Sequence, residues 1–125
     1  MKYGYLNLYI TAIDEDTDAE RKALLDVIDG PDKLYIERLH ARKQMNAVFS
    51  LLGEGDVLYV YSFARFGSGI RDLVNLIDEI LEKGAALVSV ADNFDTRTER
   101  GQDMIEAFKI AKEQTWADPS HGFYK

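Results

Sequence analysis

The segment from Gly55 to Ser68 reads GDVLYVYSFARFGS, and it decides the fold class of the chain. A glycine–aspartate turn signal opens the segment, and an unbroken run of apolar and β-branched residues follows. Such a run is typical of a strand covered on both faces, as in a parallel sheet packed between layers of helices. Because ligands bind such sheets at the carboxyl ends of the strands, the loop from Ala64 to Ser68 is predicted to border a functional site.

Strand and helix patterns alternate on both sides of this segment. Further strands are predicted over 2–10, 33–37 and 85–91, a polar loop over 92–100, and helices over 17–28, 41–52, 68–83 and 101–114. Thr17 to Glu20 matches a capping box, and Ser68 is predicted to be an N-cap. The alternation predicts an α/β fold of three layers, with a mostly parallel sheet of four or five strands and helices on both faces.

Composition predicts one domain and excludes several kinds of site. The chain has 125 residues, 46% of them hydrophobic and 30% charged, and no cysteine, so disulfides and thiolate metal sites are excluded. No apolar run approaches the ~20 residues of a membrane span, and a strand pattern occupies the position of a signal peptide. We therefore expect a cytoplasmic protein with no membrane contact.

The charge balance bears on nucleic-acid binding. The formal net charge is −7, whereas proteins that bind DNA phosphates usually present a basic face. The basic cluster of the chain contains Arg38, Arg42 and Lys43, and it would contact a nucleic-acid backbone or form a solvated surface. The two histidines, His40 and His121, lie far apart in sequence, so neither a metal nor another cofactor is expected.

Several motifs agree in their spacing with one known family. Gly55 and Asp56 begin the central strand, Arg65 follows it, and Arg42 lies thirteen residues before Gly55. The segment 95–101 reads DTRTERG and leads into the last helix. Over residues 2–110 the chain thereby resembles the catalytic domain of the resolvase/invertase family of serine site-specific recombinases. The resemblance implies a resolvase-like fold with a flavodoxin-like strand order.

The resemblance also shows departures at the catalytic positions. In the family, an aromatic-x-Arg-x-Ser segment ends the first strand, and its serine attacks a DNA phosphate. Here Asn7 stands at the position of the arginine and Tyr9 at that of the serine. In the family's Asp-Arg-Leu-x-Arg motif, Ala64 replaces the aspartate and Ser68 the second arginine.

Of the charged residues in the family's catalytic motifs, Arg65 and Arg42 remain in this chain. Phosphoryl transfer needs a nucleophile and guanidinium groups that stabilise the charge developing on the phosphoryl oxygens. Losing one such group costs roughly 10²–10³ in rate, so the combined losses predict an inactive domain. We expect it to act through contacts with a recombinase, or with itself as a homodimer through the last helix, and to contact DNA weakly at most.

Two alternatives stay open at this point. Tyr9, with Arg65 and Arg42, would serve as the nucleophile of a residual DNA strand-transferase or nuclease, although tyrosines are common in strands. The other alternative is a small-anion-binding module, which the lack of a glycine-rich loop after the first strand disfavours. Arg65 would then hold an anion, or it would pair with Asp92 or Asp95.

The predicted domain covers 1–114, and an irregular tail follows over 115–125. In the family the last helix extends into a long arm that leads to a helix-turn-helix DNA reader. Here the segment from Trp116 to Pro119 interrupts that helix and no basic reader follows, so no helix-turn-helix domain is expected.

Overall fold

A computed structural model describes residues 1–8, 17–38 and 41–117, with side chains up to residue 114. The strands are β1 (Lys2–Asn7), β2 (Leu34–Glu37), β3 (Val57–Val60), β4 (Ala86–Ser89) and β5 (Phe94–Asp95). The helices are α1 (Thr17–Leu25), α2 (Lys43–Leu51), α3 (Ile70–Glu82) and α4 (Glu99–Ala117). Short 3₁₀ turns cover Pro31–Lys33 and Phe63–Arg65.

The strands form one sheet in the order β2-β1-β3-β4-β5. The first four strands are parallel, and β5 runs antiparallel to β4. This is the flavodoxin-like order, in which the chain reverses its direction of winding between β1 and β3. The predicted α/β class, the mostly parallel sheet and the strand order are confirmed.

The main core lies on one face of the sheet. Strand residues that alternate along β1 and β3 point into it, and α2, α3 and α4 contribute the apolar side chains that cover them. Ile105 of α4 is buried there, with Met104 and Phe108 packed against the same core. The apolar face of the last helix therefore packs on the protein's own core.

The other face of the sheet is covered over β1 by α1. Leu6 points away from the main core because it follows Tyr5 in the strand, and it is fully buried. Leu24 of α1 is buried to the same extent. None of the helices in the described ranges is long and apolar enough to cross a membrane.

Three predicted boundaries need correction. The polar loop predicted over 92–100 contains β5, whose Phe94 is buried beside β4. Ser68 is not an N-cap, because α3 begins at Ile70 with Gly69 in the capping position. Helix α4 begins at Glu99 and continues through Ala117, three residues into the predicted tail. Residues 118–125 of that tail lie outside the described residues.

Candidate functional site

The carboxyl ends of the four parallel strands meet at one edge of the sheet, and the loop after β3 crosses this edge. Two contacts fix the start of that loop. The carboxylate of Asp92, which follows β4, accepts hydrogen bonds from the Phe63 backbone N–H at 2.8 Å and from the Ser89 hydroxyl at 2.6 Å. The predicted site loop is thus anchored to the neighbouring strand.

Aromatic rings hold the rest of the loop. The Phe63 ring meets Phe94 of β5 and Phe108 of α4 edge-on, with centroid distances of 5.0 and 5.4 Å. Phe66 is buried and packs edge-on against Tyr5 of β1 at 6.2 Å. Edge-to-face aromatic pairs stabilise a fold beyond the area they bury. The residue between these anchors, Arg65, is therefore held in a defined position.

Arg65 forms a buried ion pair with Glu20 of α1. Its Nε donates to Oε1 and its Nη2 to Oε2 of the carboxylate, both at 3.0 Å. The side chains are 6% and 9% exposed. The prediction that Arg65 pairs with Asp92 or Asp95 is wrong, because Asp92 holds the loop backbone and Asp95 pairs with Arg97.

Arg42, at the capping position of α2, pairs with Asp72 in the first turn of α3. Both Nη atoms donate to this carboxylate, with 2.9 Å between Nη1 and Oδ1. Asp72 Oδ2 also accepts hydrogen bonds from the Ser68 backbone N–H at 2.8 Å and from its hydroxyl at 3.1 Å. Ser68, predicted to cap α3, instead donates to a carboxylate within that helix. The hydrogen bond from Arg42 is the largest cause that lowers the pKa of Asp72.

An Asp72→Asn variant is expected to lose about 0.5–1 kcal/mol of the free energy of unfolding at pH 7, since the pair is partly exposed. A carboxylate whose pKa is lowered by folding stabilises the protein above its unfolded pKa of about 3.9, and this contribution is lost as the pH falls through the folded value. Urea unfolding at neutral and acidic pH measures the difference. The matched control is Asp103→Asn, at an exposed position of α4. A loss that does not depend on pH would contradict this account.

Glu37 ends β2 and is buried against the start of α2. Its carboxylate accepts hydrogen bonds from the backbone N–H groups of Gln44 and Met45 at 3.1 Å, and from the Tyr5 hydroxyl at 3.2 Å. Burial, followed by the charge of Glu37, raises the pKa of Tyr5, so its phenol stays protonated near neutral pH. This carboxylate thereby orients α2 beside the site edge.

The remaining predicted site residues lie at different depths. Asn7 is half-buried at the end of β1, and Ala64 is exposed within the 3₁₀ turn. Arg38 and Lys43 are exposed next to β2 and at the start of α2, so the cluster they form with Arg42 lies on the surface, unlike Arg65. Tyr9 and His40 lie outside the described residues.

Sequence reasoning missed the three carboxylates that organise this edge. No local pattern distinguishes Glu37 or Asp72, and the pattern around Glu20 predicts a capping box. One signal for Glu20 is its position four residues before Leu24, which places both on one side of α1, and Leu24 is fully buried. Among the described residues, no group of three acidic or histidine side chains is placed to hold a metal ion.

The strand order places the chain in the flavodoxin-like class of α/β domains, whose sites lie at the carboxyl ends of the strands. Within that class, the chain belongs to the resolvase family, since the family model described as "Resolvase, N terminal domain" matches residues 10–116. The predicted family resemblance is confirmed.

Named relatives agree with this assignment. The DNA-invertase hin of Salmonella typhimurium is 29% identical over 103 residues, which cover 79% of this chain and 52% of that protein. The serine recombinase gin of Escherichia phage Mu is 28% identical over 106 residues, covering 82% and 53%. The chain thus spans about half the length of these curated relatives. The N-terminal catalytic domain of TP901-1 integrase shares the fold, with a TM-score of 0.67, 17% identity and coverage of 90% of this chain and 93% of that one.

Proposed function

We propose that this resolvase-like domain, a homologue of site-specific recombinases, is catalytically inactive and acts through protein contacts, with weak DNA contact at most. The names of its relatives, a DNA-invertase and a serine recombinase, support a role in DNA recombination. The contact partner is a recombinase or a second copy of the chain. The outer side of α4 supports such a contact, because Ile110 exposes 50% of its surface there.

The ion pair between Arg65 and Glu20 carries this proposal. Arg65 stands where the family has the first arginine of its central motif. A guanidinium stabilises phosphoryl transfer by presenting its planar fork to the phosphate oxygens. In this chain, Nε and Nη2 of that fork bind an internal carboxylate and the side chain is buried.

The other positions of the set support the same conclusion. Asn7 and Ser68 carry no charge, and Ser68 donates to Asp72. Arg42 is the exposed guanidinium of the set, and both of its Nη atoms contact the same carboxylate. Each of the two retained arginines is therefore matched by a carboxylate of the chain itself.

The test is an assay for covalent chemistry on supercoiled plasmid DNA. The protein is incubated with the plasmid, the reaction is stopped with detergent, and nicks and protein–DNA adducts are counted. We expect neither, because the nucleophile and two cationic groups of the family are absent. An active serine recombinase on its own recombination site is the positive control.

Tyrosine variants separate the proposal from its rival. Tyr9→Phe is compared with Tyr61→Phe, a matched change at a tyrosine that follows β3. We expect both variants to match the parent protein, with no adduct. An adduct that disappears in Tyr9→Phe and persists in Tyr61→Phe would overturn the proposal and identify Tyr9 as the nucleophile of a residual strand-transferase or nuclease.

A further inference from the structure

The Asp72 carboxylate lies at the centre of a cluster of hydrogen-bond donors. Nη1 and Nη2 of Arg42 donate to its two oxygens, with 2.9 Å between Nη1 and Oδ1. The backbone N–H and the hydroxyl of Ser68 donate to Oδ2 at 2.8 and 3.1 Å. A guanidinium fork suits phosphate as well as carboxylate, and hydroxyl and backbone N–H groups are common phosphate donors. The carboxylate thus occupies a place whose donors also suit a phosphate group.

The backbones that carry these donors are held by contacts that do not involve Asp72. The Arg42 carbonyl accepts a hydrogen bond from the Asn46 backbone N–H at 2.8 Å, in the first turn of α2. Ser68 follows Gly67, whose backbone N–H donates at 3.2 Å to a carbonyl within the loop after β3. Removing the Asp72 side chain therefore leaves both donor residues in place.

This place is open to ions in solution. The side chains of Arg42 and Asp72 are 42% and 24% exposed, so an ion reaches the guanidinium without any opening of the core. The exposed cations Arg38 and Lys43 lie beside it, at the end of β2 and the start of α2. Neighbouring positive charges raise the local concentration of anions. The internal carboxylate is then the group that an external anion has to displace.

We infer that Arg42 and Ser68 form a phosphate-binding site, and that Asp72 occupies this site and keeps external phosphate groups out of it. The inference deepens the proposed function and rests on it, since it gives a reason why the domain binds DNA weakly. Free phosphate and the phosphodiester backbone share the chemistry that this site recognises. The two measurements below separate these sources.

The first measurement is thermal unfolding in sodium phosphate and in sodium chloride of equal ionic strength. A ligand that binds the folded state alone raises the unfolding temperature. At a phosphate concentration about ten times its dissociation constant, the unfolding temperature of Asp72→Ala should lie about 5 °C higher than in chloride. The parent protein should unfold at the same temperature in both salts. A phosphate-specific rise in the parent as large as in the variant would overturn the inference, since Asp72 would not exclude the ion.

The second measurement is the binding of a short fluorescein-labelled DNA duplex, followed by fluorescence anisotropy over a series of salt concentrations. If the site takes a backbone phosphate, Asp72→Ala should bind roughly tenfold tighter than the parent at low salt, from one added charge-assisted contact. Its slope of log affinity against log salt should steepen by about 0.9, the value for one added phosphate contact. A gain with free phosphate alone would assign the site to the free ion, and a gain with neither ligand would overturn the inference.

The matched control is Asp78→Ala, which makes the same change of charge on the same helix. Asp78 pairs with Lys109 at 3.5 Å, so this variant also releases a cation, but one without the fork and the serine donors. It should reproduce neither gain. Equal gains in the two variants would overturn the inference, because they would follow from net charge or from any released cation.

A double variant tests the role of the guanidinium. Arg42→Gln/Asp72→Ala has the net charge of the parent protein and lacks the fork, so both gains should disappear. Gains that persist in the double variant would overturn the inference. Strand chemistry by the parent protein would instead overturn the proposed function, and neither unfolding nor anisotropy measures it.

Discussion

An Arg65→Leu variant is expected to lose about 3–5 kcal/mol of the free energy of unfolding at pH 7, the range measured when one partner of a buried ion pair is removed. The reason is that the Glu20 carboxylate stays buried in the variant. Glu20 is 7% exposed, so it keeps most of the cost of its burial while losing its two charge-assisted hydrogen bonds to the guanidinium. Urea unfolding followed by circular dichroism measures the loss.

The loss should shrink as the pH falls. Losing the guanidinium removes an interaction that favours the charged form of Glu20, so the pKa of this carboxyl should be higher in the folded variant than in the folded parent. The folded variant then binds this proton more tightly than the folded parent, so the stability difference between the two proteins should narrow as the pH is lowered from 7 toward 4. A stability difference between variant and parent that stays constant from pH 7 to pH 4 would contradict this mechanism.

Two further variants isolate the effect of burial. Arg97→Leu breaks the more exposed pair with Asp95 and should cost about 1 kcal/mol or less. The double variant Glu20→Met/Arg65→Leu should recover most of the loss, since replacing a buried pair with apolar side chains of similar volume is often neutral or stabilising. If Arg65→Leu cost no more than Arg97→Leu, the pair would not be buried in solution.

The frame of this fold could be predicted because its strongest signals are local. The apolar run after Gly55 and the helical pattern over 68–83 predict β3 and α3 at their correct places in the chain. Sequence periodicity does not predict strand β5, because two residues are too few to show an alternation of apolar and polar side chains. Its position depends on tertiary contacts, the pairing with β4 and the burial of Phe94.

The partner of Arg65 could not be predicted by the same means. Neighbouring strand ends suggested Asp92 and Asp95, whereas Glu20 lies 45 residues away in sequence, on a helix whose orientation is set by packing. Its spacing of four from Leu24 placed it on the buried side of α1, and a buried glutamate needs a cation. The spacing between Glu20 and Leu24 would have favoured an ion pair between Glu20 and Arg65, because Arg65 directly follows a buried strand.

The second large effect is expected at the turn between β5 and α4. A Cβ added to Gly101 would lie 1.9 Å from the carbonyl oxygen of Asp95 and 2.7 Å from its carbonyl carbon. The Thr98 hydroxyl closes the same turn, because it donates to that oxygen at 2.8 Å and accepts from the Gly101 N–H at 2.9 Å. This contact explains the glycine that ends the DTRTERG segment.

Gly101→Ala is therefore expected to cost at least about 3 kcal/mol of the free energy of unfolding, the upper end of what overpacking usually costs, because the clash is with backbone. The helix propensity of alanine, about 1 kcal/mol better than that of glycine, opposes this loss without cancelling it. Chemical denaturation measures the change. The control is Gly53→Ala, where the added Cβ would approach nothing nearer than Asp56 Oδ2 at 3.9 Å, so a change within about 0.5 kcal/mol is expected.

The clash at Gly101 should also change the packing of the loop after β3, which begins near Phe63. Relieving it moves the start of α4 away from β5, and with it Phe108, whose ring packs on both Phe63 and Phe94. In a folded Gly101→Ala protein, the backbone N–H of Phe63 should therefore exchange with solvent faster than in the parent protein, as measured by hydrogen exchange. A variant as stable as the parent, with unchanged exchange at Phe63, would show that α4 does not dock on β5 through Gly101.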